Sequence, residues 1–470
     1  MTRSRSVLGP WPRLIEMGVV AVVLASALVL FNRSAQNLES RGDEWLYIHS
    51  SRYFANLYSG GGPANPEWAD GYWTHLQPMM LPYAIGAWLT AKGYDVYQMP
   101  APRISTYGRT LYNLPPGQPS YELGRDNFLI GPVPDKALLA DARALMAFIA
   151  AGVVLLVYLA SRVIAGPLAG LSAAAVLLSR PLFSHELVWV QTESLLMLFV
   201  LLALLLALLG ARRGTGGGLP VRWAVPLGVA LGLALGTKLT AVLSLVAVGA
   251  WLVAAAAAVA ARNPQDGPRT PALTGRLRLA LLASRGWLAA LGVALSVFVL
   301  SNPHLYSDPI VHAGHLFGTR AEAMEQSPRR SPDGGLTGLT ERINYVVRGS
   351  LMGASATGSQ ESLPQKALGL GMAGLALVGL VALSVKAVKA NRSTPSDAII
   401  PVTVLVYFAG VSAGMGLGLT RYIVPTAVLG TVLCGVGIAV LSGAAIGRAL
   451  RAPQVSGLTK AWGRFQVRHA

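Results

Sequence analysis

The chain contains 470 residues, of which 53% are hydrophobic and only 13% are charged, and its formal net charge is +17. Soluble domains carry about 25% charged residues, so this composition excludes a soluble globular protein and indicates a polytopic membrane protein. The single cysteine, Cys434, lies in an apolar run, and one cysteine excludes an intrachain disulfide.

About ten apolar runs are predicted to cross the membrane as helices from their length and composition, and several of them are short and rich in glycine. The first run follows basic residues and is interpreted as an uncleaved anchor rather than a signal peptide. The predicted fold is an all-α polytopic membrane protein. The ten runs lie near 14–31, 140–160, 166–180, 193–210, 223–237, 239–260, 286–301, 366–385, 398–416 and 422–446.

Basic residues are unevenly distributed between the segments that join these runs. With the N-terminus in the cytoplasm, 20 of the 38 Lys and Arg residues fall in cytoplasmic segments, together with only three of the 21 Asp and Glu residues. Positive residues concentrate on the cytoplasmic side of membrane proteins, so this orientation is predicted, in the cell (plasma) membrane with both termini cytoplasmic. The positive net charge then reflects orientation, and no nucleic-acid partner is expected.

The runs and the charges together predict two long external segments. Eighteen of the 21 carboxylates and six of the seven histidines fall on that side, so an active site is expected to be external. The predicted organisation is a cytoplasmic N-terminus with the first transmembrane helix (1–31), a first external loop with an acidic motif and interfacial helices (32–139), transmembrane helices 2–7 (140–301), a second external loop (302–365), transmembrane helices 8–10 (366–446) and a basic cytoplasmic tail (447–470).

The first external segment begins with "RGDEWLYIHSSRYF" and has two adjacent carboxylates, Asp43 and Glu44, near the membrane edge. Asp43 and Tyr47 would share one face of a helix. Such a pair either begins a solvated helix, where acidic residues are favoured, or belongs to a site, and the residues alone leave both interpretations open. The Trp- and Tyr-rich stretch 71–94, which contains His75, predicts a helix at the membrane interface.

Lys238 stands out among the basic residues because it lies between two apolar runs in a very short hairpin. An unpaired lysine in such a place costs about 2.5–3.5 kcal/mol unless its side chain reaches the interface. An anionic ligand would offset that cost, so a binding role is predicted. Arg143, at the start of the second run, either has a similar role or only extends to the interface.

The order of these motifs resembles the GT-C membrane glycosyltransferases. The resemblance is strongest to bacterial relatives of the dolichyl-phosphate-mannose protein mannosyltransferases (glycosyltransferase family 39) and to the aminoarabinose transferases of lipid A. It extends over about 15–450, although "THLQPMML" departs from the His-Pro-Pro pattern of the family. The residues that carry it are Asp43-Glu44 with Tyr47, His75, Arg143, Thr192-Glu193, Lys238 in "GLALGTKLTAVL", Asn302 and His304 in "SNPHLYSDP", and Arg421-Tyr422.

This resemblance implies transfer of a sugar from a polyprenyl-phosphate donor to an acceptor hydroxyl of a protein, lipid or glycan on the external face. Such a reaction needs a base for the acceptor proton and cations or a metal for the leaving phosphate. Asp43 is predicted to be the base, with Glu44 and Glu193 as supporting catalytic carboxylates. Asp43 and Glu193 could also share a divalent metal, Mg or Mn. The predicted substrate-binding residues are Lys238, Arg143, Arg421, Tyr422, His75, Tyr47, Asn302 and His304.

One candidate base and no obvious second nucleophile favour a single, inverting displacement. The alternative function is a multi-pass transporter for a lipid or a small solute, and others are a sensor or a ligase of lipid-linked glycans. Transporters commonly contain two matching halves and charged residues within spans, and neither feature is evident in this sequence. An enzyme is therefore favoured.

Overall fold

A computed structural model gives the fold of the protein. It describes residues 11–40, 42–59, 61–65, 68, 77–99, 134–214, 218–261, 273–330, 335–336, 338–352, 363–389, 398–416 and 418–451. In chain order, the helices used below are α1 (Trp11–Asn37), α2 (Gly42–Ser50), α3 (Arg52–Ala55), α4 (Met80–Ala91), α5 (Lys136–Ala165), α6 (Pro167–Leu178), α7 (Pro181–Glu186), α8 (Thr192–Arg213), α9 (Val221–Thr237), α10 (Val242–Ala261), α11 (Leu273–Leu300), α12 (Pro309–Arg330), α13 (Leu339–Val347), α14 (Leu363–Lys389), α15 (Ile399–Gly414) and α16 (Thr420–Arg451).

A helix lies at each of the ten positions where a span is predicted. Five of these helices, α1, α5, α8, α14 and α16, are long and apolar enough to cross a membrane, and α6, α9, α10, α11 and α15 contain shorter apolar stretches. The predicted all-α polytopic membrane fold is confirmed. Some helices extend beyond the predicted apolar runs, because the polar residues that flank a run are also helical. For example, Asp135 caps α5 by accepting a 2.7 Å hydrogen bond from the Leu138 amide.

Glycines allow α9 and α11 to pack closely together. A Cβ added to Gly228 or Gly232 would lie 2.5 or 2.6 Å from the carbonyl oxygen of Ala290 or Ala294, so only glycine fits at these positions. One turn further, a Cβ on Gly236 would lie 2.8 Å from Cγ of Met80. These glycines therefore allow the end of α9 to pack against both α11 and the start of α4.

The segment between α1 and α5 packs as a small unit against the ends of the apolar helices. Residues of α2, α3 and α4 form an apolar cluster with the first turns of α5, separate from the main core between the spans. Asn302, just after α11, is fully buried, and its Oδ1 accepts a 3.1 Å hydrogen bond from the Met79 amide. This contact anchors the start of α4, a helix that lies within the predicted interfacial stretch.

Candidate functional site

A buried ion pair joins the first turn of α8 to the end of α9. The Lys238 ammonium group binds Oε1 of Glu193, and the two side chains are only 9% and 1% exposed. Oε2 of Glu193 accepts a 3.2 Å hydrogen bond from the Thr192 hydroxyl. The structure thus gives Lys238 an anionic partner within the protein, which offsets the cost of placing a lysine among apolar helices.

The same lysine lies beside the start of α16. Its Nζ is 5.3 Å from the centre of the Tyr422 ring, and the Arg421 guanidinium is 5.6 Å from the same ring. Cations within about 6 Å of an aromatic ring are attracted by its negative face. The four predicted residues Glu193, Lys238, Arg421 and Tyr422 therefore form one connected group, although they come from three different helical segments.

A cavity of about 530 Å³ opens next to this group. Four cationic residues line it, and its described lining contains no carboxylate. The remaining wall is largely apolar, with side chains from α10, α12 and α15. The cationic residues are Lys238, Arg320, Arg342 and Arg421, and the apolar ones include Leu239, Val242, Leu243, Phe317, Met324, Val411, Met415 and Pro425.

Arg320 and Arg342 line the cavity, and neither is among the residues predicted from the sequence. Arg320 lies on α12 between Phe317 and Met324, and no residue in the described part of the chain forms an ion pair with it. The spacing of Phe317, Arg320 and Met324 at i, i+3 and i+7 on one helical face was the signal that could have indicated it. Arg342 donates hydrogen bonds to the carbonyls of Leu336 and Ala413, at 3.0 and 2.8 Å.

Glu44 and Arg143 form a second buried group, at the end of α1. Glu44 accepts two hydrogen bonds from Arg143, at 2.9 and 2.6 Å, in a bidentate pair. The other three N–H groups of Arg143 bind backbone carbonyls of Ala35, Leu38 and Glu39. All five donors of the guanidinium are therefore used inside the protein, and none is directed to the predicted phosphate.

Glu44 also reaches the approach to α8. Its Oε1 accepts a 3.1 Å hydrogen bond from the amide of Val190, three residues before Glu193. The acidic motif and the Glu193–Lys238 pair are thus connected through one short stretch of chain. Asp43 directly precedes Glu44 in α2, but its side chain lies outside the described residues.

The other predicted substrate-binding residues are distributed around this centre. Tyr47 is buried in the apolar cluster of α2, α3, α4 and α5. The side-chain amide nitrogen of Asn302 donates hydrogen bonds to the Phe298 carbonyl and the Ser301 hydroxyl. Its side-chain oxygen accepts the hydrogen bond from Met79. His304 is buried, and its carbonyl accepts a 2.6 Å hydrogen bond from Nδ1 of His312. His75 lies outside the described residues.

The predicted metal ligands can be compared with the donor groups present. Among the described residues, no group of three or more His, Cys, Asp and Glu side chains is arranged to hold a metal ion. Glu193, one of the two predicted ligands, already binds Lys238. The side chain of Asp43, the other predicted ligand, is not among those described.

Comparison with known proteins gives a family match and structural neighbours. A family model described as "Dolichyl-phosphate-mannose-protein mannosyltransferase" matches residues 139–268. The predicted resemblance is confirmed. No curated protein sequence matches the chain.

Three solved structures illustrate the structural likeness. ArnT from Cupriavidus metallidurans in the apo state is 18% identical, with a TM-score of 0.50 over 92% of this chain and 62% of ArnT. The oligosaccharyltransferase from Archaeoglobus fulgidus, tethered with an acceptor peptide, is 13% identical, with a TM-score of 0.50 over 93% of this chain and 51% of the enzyme. The same enzyme in complex with Zn and sulfate is 12% identical, with a TM-score of 0.50 over 92% and 51%.

These likenesses concern the fold. The chain shares the polytopic helical architecture of ArnT and of the oligosaccharyltransferase. It spans about three fifths of the length of the first and about half the length of the second.

Proposed function

We propose that the protein is a membrane glycosyltransferase that moves a sugar from a polyprenyl-phosphate donor to an acceptor hydroxyl. The observation that carries the proposal is the cavity of about 530 Å³, which combines four cationic side chains with an apolar wall. A lipid phosphate has the matching two parts, an anionic head and an apolar tail. The description of the matching family also names a lipid-phosphate sugar, dolichyl-phosphate-mannose.

The charges around the cavity support binding of an anion. Glu193 binds Lys238, and Arg320, Arg342 and Arg421 place further cationic groups along a described lining that contains no carboxylate. Negative charge builds up on the phosphate as the bond to the sugar breaks, and fixed cations stabilise it most at that stage. Arginine suits this role because its planar N–H groups match phosphate oxygens.

Asp43 remains the proposed base for the acceptor hydroxyl, in an inverting displacement. Its neighbour Glu44 is held by Arg143 and by the Val190 amide, which fixes α2 relative to the approach to α8. In this proposal Glu44 and Arg143 orient the acidic motif, and the arginines of the cavity bind the donor phosphate. A Mg or Mn ion shared by Asp43 and Glu193 would compete with Lys238 for Glu193. The proposed displacement therefore does not include a metal ion.

The orientation proposed for this enzyme has the cavity on the external face of the cell membrane. The uneven distribution of Lys and Arg supports it, since most cytoplasmic segments are strongly basic. An external site would meet acceptors of the cell envelope, either a protein, a lipid or a glycan.

The proposal can be tested with Arg320→Gln, because Arg320 has no ion-pair partner among the described residues and its loss leaves no buried carboxylate behind. Undecaprenyl phosphate binding to the purified protein is expected to weaken about tenfold or more, as for loss of a charged hydrogen bond. Arg348→Gln is the matched control, since Arg348 is exposed and does not line the cavity. Unchanged affinity in Arg320→Gln would show that the phosphate binds elsewhere.

The catalytic part of the proposal has a separate test. Asp43→Asn is expected to bind undecaprenyl phosphate normally but to transfer sugar from a polyprenyl-phosphate donor about 10²–10⁴-fold more slowly, the range for loss of a general base. Wild-type turnover by a folded Asp43→Asn protein would exclude Asp43 as the base.

A further inference from the structure

We infer that Glu186 is a positioning residue of the donor cavity, which holds Thr420 and thereby sets Arg421 and Tyr422 against Lys238. The inference rests on the proposed function, because it assigns a role in donor binding. Glu186 lies at the end of α7, outside the cavity lining and outside every motif of the family resemblance. Its chemical surroundings single it out.

Glu186 is a buried carboxylate, only 4% exposed, and no Lys or Arg of the described chain forms an ion pair with it. Its Oε1 accepts a 2.5 Å hydrogen bond from the Thr420 hydroxyl. Its Oε2 accepts a 3.0 Å hydrogen bond from the Gln191 amide group, which also donates to the Glu186 carbonyl at 2.7 Å. A carboxylate buried without a cation is costly unless such donors satisfy it.

The two partners of Glu186 stand at the beginnings of two helices. Gln191 immediately precedes α8, and Thr420 is the first residue of α16. A helix carries about half a positive charge at its N-terminus, so both helix dipoles favour a negative group at this point. The carboxylate therefore connects two helix N-termini, which explains how it is stabilised without a neighbouring cation.

The residues that follow these two N-termini form the donor site. Glu193, two residues after Gln191, binds Lys238. Arg421 and Tyr422, directly after Thr420, line the cavity, and the Lys238 ammonium lies over the Tyr422 ring. The residues that precede both parts of the site, Gln191 and Thr420, thus donate hydrogen bonds to the same carboxylate. If Thr420 were released, the first turn of α16 would shift and move Arg421 and Tyr422 away from Lys238.

The inference can be tested with Thr420→Val, which keeps the size of the side chain and removes only the hydroxyl. Undecaprenyl phosphate affinity is expected to fall about tenfold, and the KM for a polyprenyl-phosphate sugar to rise by a similar factor. Thr420→Ser should restore the wild-type values because it restores the hydroxyl. Thr431→Val is the matched control on the same helix, where the hydroxyl binds only the Val428 carbonyl.

Glu186→Gln is the second variant, since it keeps an acceptor for Thr420 but turns an amide group towards Gln191. It is expected to weaken lipid-phosphate binding in the same direction as Thr420→Val but by a smaller factor, because the hydrogen bond from Thr420 then goes to a neutral acceptor. Wild-type affinity in folded Thr420→Val would overturn the inference, even if its melting temperature fell, because Glu186 would then only stabilise the fold. If Arg320→Gln also bound normally, the proposed donor site itself would be wrong, which separates the two failures.

Discussion

At the residue scale, three further examples among the described residues illustrate how buried charges are satisfied. Glu44 and Arg143 pair with each other and with backbone groups. Lys238 pairs with a carboxylate and faces an aromatic ring. Arg180, just before α7, donates to the carbonyls of Ser350 and Gly349 at 2.6 and 3.0 Å. Each charge is fixed by groups far away in sequence, so substitution of one partner affects distant helices.

Glu44→Gln is expected to destabilise the fold strongly, because it leaves the buried Arg143 without its anionic partner. Breaking a buried ion pair costs about 3–5 kcal/mol, and the Val190 amide would also lose a charged acceptor. The measurement is the melting temperature of the purified protein in one detergent. Glu39→Gln is the control, because its side chain is exposed. Equal melting temperatures for the two variants would contradict the structural role of Glu44.

The sequence predicted part of this site and could not predict the rest. Lys238 was recognisable because a lysine between two apolar runs is costly, and Glu193 and Tyr422 came from the family resemblance. The pairing of Lys238 with Glu193 could not be read from the sequence, since 45 positions separate them. For Arg143, the sequence left open a binding role like that of Lys238 or a side chain that extends to the interface. Only the fold reveals that carbonyls at the end of α1 accept hydrogen bonds from its guanidinium.

At the scale of the helices, hydropathy predicted a helix at each of ten positions, and five of these helices are long and apolar enough to cross a membrane. It did not indicate which spans touch, since lipid-facing and protein-facing surfaces are equally apolar. Close helix contacts in membranes depend on small residues, and Gly228 and Gly232 serve this purpose against α11. The order of helices around the cavity therefore required the three-dimensional structure.

Gly232→Ala is expected to destabilise the protein, although alanine is normally more favourable than glycine in a helix by about 1 kcal/mol. The new Cβ would lie 2.6 Å from the Ala294 carbonyl and from Cβ of Val297, and such overpacking costs about 1–3 kcal/mol. Gly292→Ala on α11 is the matched control, because nothing lies within 4 Å of its added Cβ. The melting temperature should fall in the first variant and stay equal or rise in the second; the same shift in both would contradict the close packing.

At the scale of the whole molecule, the distribution of charge relates the fold to the membrane. In the predicted orientation, the excess of positive charge lies in cytoplasmic segments, and the cationic cavity is proposed to lie on the opposite side of the spans. A donor with its phosphate at the membrane surface would meet the cavity from the bilayer, where the apolar wall of α10 and α15 could accommodate the tail. The proposed reaction thus depends on which side of the membrane the cavity faces.

The orientation can be measured by labelling cysteines with a membrane-impermeant maleimide in intact cells. Cys434, the single native cysteine, is 1% exposed and is expected to give little background. Ile310→Cys places a thiol at an 86% exposed position of α12, on the side of the cavity, and should be labelled in intact cells. Arg212→Cys, at the exposed end of α8, should be labelled only after the cells are permeabilised. The reverse pattern would place the cavity in the cytoplasm, where external acceptors could not reach it.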